Sequence, residues 1–173
     1  MKLLVISDTH GYLSNARNVI ERIGDKINGV IHLGDHDEDA KELQEEFSDI
    51  PFYYIRGNND YGMNTPDTKM LNICGKKIII THGHKQQVYW SYDNIAYWAQ
   101  EKGADAVFFG HTHRPANEYD GSIYIFNPGS ISLPRGINYP TFGIFDIDEN
   151  GNMRGTIMVY VDEDNFMRLD KLF

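Results

Sequence analysis

Five short apolar runs punctuate the first 110 residues, and each ends in a cluster of Asp, His or Asn beside a glycine. Lys2–Ser7 runs into SDTHG, Gly29–Leu33 into HLGD and Phe52–Ile55 into RGNND; Lys77–Thr81 runs into THGH and Ala106–Phe109 into GHTH. The stretches LLVI, VIHL, IIIT and VFF are almost continuously apolar, as strands covered on both faces are. Helical periodicity separates them: Leu13–Ile23 aligns Ala16, Val19, Ile20 and Ile23, Ala40–Phe47 aligns Ala40, Leu43 and Phe47, and Ser91–Lys102 aligns Ile95, Trp98 and Ala99. Strand and helix in alternation predict a largely parallel α/β sheet, whose strand C-termini form a ligand crevice. A chain so patterned carries five sets of polar groups to one edge.

After Arg114 no helical pattern follows. Ser122–Phe126, Thr141–Ile147 and Thr156–Val161 read as strands, and the turn signals Asp120-Gly121 and Asn150-Gly151 predict antiparallel pairing. The change near 114 predicts a second sheet of the same domain; 173 residues suit one domain, and no linker or repeat intervenes. The final segment, Phe166–Phe173, reads as an edge strand or a dimer contact, which leaves a homo-oligomer open. The aromatics Tyr53, Tyr54, Tyr89, Trp90, Tyr92, Tyr97 and Trp98 follow strand or helix spacing, so core packing is their default.

All seven histidines, His10, His32, His36, His82, His84, His111 and His113, lie within or just beyond the ends of those five runs. Buried aspartates and clustered neutral imidazoles are costly without partners. A divalent metal answers both needs, and His nitrogen with carboxylate oxygen suits Mn, Fe, Co, Ni or Zn better than Mg or Ca. The candidate ligands exceed one ion's usual shell and suit a pair of ions. Glycines beside them, Gly11, Gly34, Gly57, Gly83 and Gly110, allow the sharp turns such a cluster needs.

Composition narrows the partners. Sixteen Lys and Arg against 25 Asp and Glu give a formal charge of -9, which argues against nucleic acid and a nuclease role. No apolar run approaches the roughly 20 residues of a membrane span. MKLLVISDTHG reads as a first strand rather than a signal peptide. The single cysteine, Cys74, fits a reducing cytoplasm, the expected location.

Asp8-Thr-His10, Gly34-Asp35, Gly57-Asn58, His82 and Gly110-His111-Thr-His113 together resemble the five ordered motifs of the calcineurin-like metallophosphoesterase superfamily. The resemblance covers nearly the whole chain. SDTHG at the start and Asn127-Pro-Gly-Ser130 with Pro134-Arg135 are most similar to its compact YfcE-type phosphodiesterases. It implies an α/β fold of two mixed β-sheets packed as a sandwich flanked by helices. It also implies two divalent ions per chain, manganese first among them. Asp8, His10, Asp35 and His113 would hold one ion, with Asp35 bridging and Asn58, His82 and His111 completing the second. A water or hydroxide between two such ions is a nucleophile at neutral pH, and the ions offset charge growing on a phosphate. The implied activity is hydrolysis of a small-molecule phosphate ester. Ser130 then needs no role as an activated nucleophile.

Individual residues keep ordinary alternatives. Asp35 could instead cap the Asp37–Phe47 helix. His32 reads as a residue that fixes a ligand, and His36 as a rim residue. Arg56, Arg114 and Arg135 are candidate phosphate clamps, with Arg135 nearest the site by its place behind NPGS. Many superfamily members carry a histidine after the Gly-Asn of the third motif, thought to protonate the leaving group; here the residue is Asn59. That departure implies diesters or good leaving groups, or a substitute donor in His84 or Asp60; losing such an acid costs about 10²- to 10⁴-fold in rate. His84 could equally be a core-satisfying imidazole. A scaffold of the Vps29 type, of the same fold, is the rival from another class.

Overall fold

A computed structural model of the chain describes residues 1–61 and 64–172. In chain order its strands are β1 Lys2–Ile6, β2 Gly29–His32, β3 Phe52–Tyr54, β4 Thr68–Ile73, β5 Lys76–Thr81 and β6 Ala106–Phe108, then β7 Pro115–Tyr119, β8 Tyr124–Pro128, β9 Thr141–Ile147, β10 Met153–Asp162 and β11 Asn165–Arg168. The helices are α1 Ser14–Ile23, α2 Asp37–Glu46 and α3 Asp93–Glu101. β1 has Leu3 and Val5 on one face and Leu4 and Ile6 on the other, all buried. Its continuous apolarity follows from that double burial. Leu3 and Val5 join Ile31, Leu33, Ile78, Ile80, Phe108, Phe126 and Phe145 in a core between two sheets. Leu4 and Ile6 meet Ala16, Val19 and Ile20 of α1 and Leu43 of α2 outside the first sheet. Ile79, Val107 and Phe109 meet Ile95 and Ala99 of α3 outside the second. The layers are therefore helix, sheet, sheet, helix, as the resemblance implied.

The sheets are not divided where the sequence pattern changes. The first is ordered β11-β10-β9-β1-β2-β3 and the second β4-β5-β6-β8-β7. Strands from beyond residue 114 enter both: β9 pairs antiparallel with β1 (Lys2↔Asp146), and β8 pairs parallel with β6 (Ala106↔Tyr124). Apolar patterning specifies which faces are covered, not which strands are neighbours, so a split at 114 is the wrong inference. The aromatic rings at the interface favour the observed arrangement. Phe108, Phe126 and Phe145 pack with centroids 4.5–5.4 Å apart, each burial contributing about 1.5–3 kcal/mol.

Two strands are not foreseen by the pattern. In β4 only Leu71 and Ile73 are buried, and it meets β5 through Cys74-Gly75, both at positive φ as a tight hairpin turn requires. β7 opens with Pro115 and buries only Ala116, which suits its edge position. The C-terminal segment supplies an edge strand, β11, paired with β10; Phe173 lies outside the described residues. Tyr89, Trp90 and Tyr97 are 47%, 89% and 66% exposed, so the core default fails for them. Among the described residues no helix is long and apolar enough to cross a membrane.

Candidate metal centre

The loops after β1, β2 and β3 belong to one sheet and those after β5 and β6 to the other, and they meet where the sheets' C-terminal ends adjoin. Eight described non-glycine residues have positive φ, and six of them are Asp8, His10, Asp35, His36, His111 and His113. Left-handed backbone costs such residues about 1–2 kcal/mol each, so this concentration marks a place where side-chain convergence outranks local comfort.

Asp8 is wholly buried. Its Oδ2 accepts the His111 backbone N–H at 3.1 Å, which links the two sheets, while Oδ1 has no hydrogen-bond partner. Oδ1 lies 3.3 Å from His113 Nε2 and 3.9 Å from His82 Nε2. Asp35 Oδ1 lies 3.3 Å from His82 Nε2, and its Oδ2 lies 3.8 Å from His10 Nε2. The Nδ1–H of His82 donates to the Leu33 carbonyl at 2.7 Å and that of His113 to the Leu133 carbonyl at 2.6 Å, so both rings turn Nε2 inward. His10 Nε2 and His113 Nε2 stand 3.2 Å apart, the spacing of two nitrogens sharing one ion with bonds of about 2.0–2.1 Å. Asp8, His10 and His113 form one group able to hold a metal, and Asp8, Asp35 and His82 a second. Buried orphan atoms, inward lone pairs and the nitrogen–oxygen donor set all fit divalent ions.

Electrostatics point the same way. Burial alone would raise the pKa values of Asp8 and Asp35, but the adjacent imidazoles of His113 and His82 hold Asp8 low, and His82, Asn59 and His10 hold Asp35 well below the carboxylate range. Burial would likewise neutralise His82 and His113, yet Asp35 and Asp8 raise both. Two ionised carboxylates thus attract positive charge to this point. On the outer side burial dominates, lowering His10 and bringing His111 to about 4.

Other expected residues fall as follows. The His111 ring packs 5.1 Å from that of His82. Asn58 is exposed. Its neighbour Asn59 gives its backbone N–H to Asp35 Oδ1 at 3.1 Å and its amide to Oδ2 at 2.7 Å. The carboxylate of Asp60, the other substitute donor, is engaged by the backbone, accepting the N–H groups of His36, Asp37 and Gly57 at 2.6–3.0 Å. Those bonds also serve the start of α2, so Asp35 is not its cap. His84 is half-buried, 5.6 Å from His82, with an unpartnered Nδ1; burial lowers its pKa. His36 is exposed at the rim, 5.6 Å from His10.

His32 fixes the backbone rather than a ligand atom. Its Nδ1 accepts the Gly34 N–H at 3.2 Å, its Nε2–H donates to Thr9 Oγ1 at 3.0 Å, and Thr9 donates on to the Asp35 carbonyl. The NPGS segment acts likewise. Ser130 and Ser132 Oγ both donate to the Asp8 carbonyl at 2.8 Å, and the Asn127 amide donates to the Gly110 carbonyl at 2.9 Å. Gly57 is needed for close approach, because a Cβ there would collide with the Asp35 carboxylate. Arg135 is exposed, its Nη1–H donating to Tyr89 Oη at 2.8 Å. Sequence reasoning singles out Asn127 only within the NPGS motif and misses Tyr89 and Ser132 as contributors.

The family model for the calcineurin-like phosphoesterase superfamily domain matches residues 1–150. A Bacillus subtilis protein named a probable metallophosphoesterase, YsnB, is 31% identical over 150 residues, covering 87% of this chain and 86% of its own. The Escherichia coli phosphodiesterase YfcE is 28% identical over 170 residues, covering 86% and 89%. A crystal structure of Entamoeba histolytica Vps29 complexed with zinc superposes with a TM-score of 0.79 over 98% of both chains at 22% identity, a likeness of fold alone.

Proposed function

The chain belongs to the calcineurin-like phosphoesterase superfamily and is a hydrolase of phosphoester bonds, and we propose that it cleaves a small-molecule phosphodiester at a centre of two divalent ions. The observation that carries this reading is the convergence of Asp8 Oδ1, the Asp35 carboxylate and three inward imidazole nitrogens at the seam of the sheets. In the proposal Asp8, His10 and His113 hold one ion, and His82, His111 and Asn58 the other. Asp35 lies between, one oxygen toward His10 and one toward His82. When bound, the ions supply an acidified water and offset the charge of the phosphate; manganese is the first candidate, with Ni, Fe, Co and Zn suited to the same donors.

Asn59 orients Asp35 through two hydrogen bonds and has no proton of suitable acidity to give. With Asp60 tied to backbone N–H groups, His84 is the residue left beside the centre to assist a leaving group. The weakness of that provision is why diesters with good leaving groups are favoured. Arg135 supplies a positive charge toward the phosphate. The formal charge of -9 disfavours nucleic acid as the substrate, and the cytoplasm is the proposed location.

The test is hydrolysis of bis(p-nitrophenyl) phosphate by chelator-stripped protein before and after Mn²⁺ is restored. Turnover that vanishes and returns with the metal is expected. Failure with Mn, Ni, Co, Fe and Zn alike would move the Vps29-like scaffold, which shares the fold, to the front.

A further inference from the structure

We propose that Tyr89 is a positioning residue that holds Arg135 over the His111 side of the centre, so that the pair forms an anion-binding rim for the substrate phosphate. The inference rests on the phosphodiesterase reading and deepens it by naming where protein, rather than metal, meets the phosphate charge.

The arginine is fixed at both ends. Its backbone N–H donates to the His113 carbonyl at 3.0 Å, and its Nη1–H donates to Tyr89 Oη at 2.8 Å. The same hydroxyl spends its single proton on the His111 carbonyl at 3.0 Å. Beneath it, the Tyr89 ring packs edge to face on the His111 imidazole, with centroids 4.8 Å apart. Arg135 therefore stretches from one histidine of the GHTH turn to the other. The centre opens to solvent on this side: Asp8 and His82 are wholly buried, whereas His10 and His111 are part-exposed.

Arg135 is unlike the arginines that are tied up in ion pairs. Arg17 is paired with Glu42 and Glu46, and Arg168 with Asp170. Among the described residues no carboxylate lies within 4.0 Å of the Arg135 guanidinium, whose side chain bonds to a neutral phenol. A guanidinium held by one N–H keeps its remaining donors for a planar, bidentate oxyanion. Tyr89 acts through that orientation, since a long side chain otherwise loses contact strength to its own rotamer freedom.

The experiment titrates inorganic phosphate into Mn²⁺-loaded protein by calorimetry, beside kinetics on bis(p-nitrophenyl) phosphate. Arg135→Ala is expected to weaken phosphate about tenfold and Tyr89→Phe about three- to tenfold, the range implied by the net worth of a typical hydrogen bond. KM should rise in step, kcat should change less, and Arg135→Lys should recover part of the loss. The double variant should be no weaker than Arg135→Ala, with Mn²⁺ affinity retained throughout. Unchanged phosphate affinity in both single variants, or additive losses in the double variant, would overturn the proposal. So would a loss of Mn²⁺ affinity in Tyr89→Phe, which would assign the tyrosine to His111 alone. Wild-type protein that binds phosphate through Arg135 yet hydrolyses no ester would sink the phosphodiesterase reading and support the rim.

Discussion

Replacing Gly110 with alanine adds one carbon atom where the second sheet hands His111 and His113 to the first. Gly110 does not have a left-handed φ, so backbone strain is not at issue. The added Cβ would lie 2.7 Å from Asp8 Oδ2 and closer still to Ser7 Oγ. The serine hydroxyl has no partner and can turn away. The carboxylate cannot, because Oδ2 is held by the His111 N–H at 3.1 Å, so it must retreat and stretch the bond that joins the sheets. Overpacking of this kind costs about 1–3 kcal/mol, to be read as a lower urea midpoint in chelator. The sharper reading comes with metal. At a Mn²⁺ concentration 100 times the dissociation constant the wild type gains about 2.7 kcal/mol, whereas a variant bound 100-fold more weakly gains only about 0.4 kcal/mol. A Gly110→Ala variant with the wild-type midpoint and the full Mn²⁺ shift would refute the placement of Asp8 at the centre.

Asp35→Asn should abolish diester hydrolysis and weaken Mn²⁺ binding at both sites by calorimetry; a fully active variant would remove Asp35 from its position between the ions. Asn59→His should raise p-nitrophenyl phosphate turnover roughly 10²-fold relative to the diester, and an unchanged ratio would reject the missing acid as the cause of substrate preference. His32 titrates at about 4 instead of 6.5 because it is wholly buried. The unfolded chain therefore takes up its proton first as pH falls, so the contribution is complete above pH 6.5 and is lost between 6.5 and 4, about 3 kcal/mol in all. Urea midpoints against pH should fall more steeply for the wild type than for His32→Gln, and parallel curves would place the acid sensitivity elsewhere.

Much of the centre is legible in the sequence because its chemistry is crowded into the chain at regular intervals. Asp8, His10, His82 and His113 stand just after apolar runs, and a strand that ends in such residues aims them at the crevice. What the sequence does not convey is partnership between distant segments. Patterning of Leu3 to Ile6 announces two covered faces but is silent on whether β9 or another strand lies alongside, so the pattern divides the sheets wrongly. β4 and β7 escape notice because one shows a single buried face and the other begins with proline. Tyr89 is misread since its spacing resembles core packing, while its role depends on the carbonyl of a residue 22 positions away. Asn59 stands out as a departure in chemistry, but its grip on Asp35 is visible only in three dimensions.

The place of β1 has a consequence for how the protein is made. This strand leaves the ribosome long before its antiparallel neighbour, β9, which begins at Thr141, and the hydroxyls that hold the Asp8 carbonyl come from Ser130 and Ser132. Until those segments leave the ribosome, LLVI has only β2 to pair with and stays open to chaperones, as late, non-local pairing entails. Nascent chains stalled before residue 130 should therefore capture no metal, and acquisition of the ions becomes a checkpoint that only chains extended past Ser132 pass.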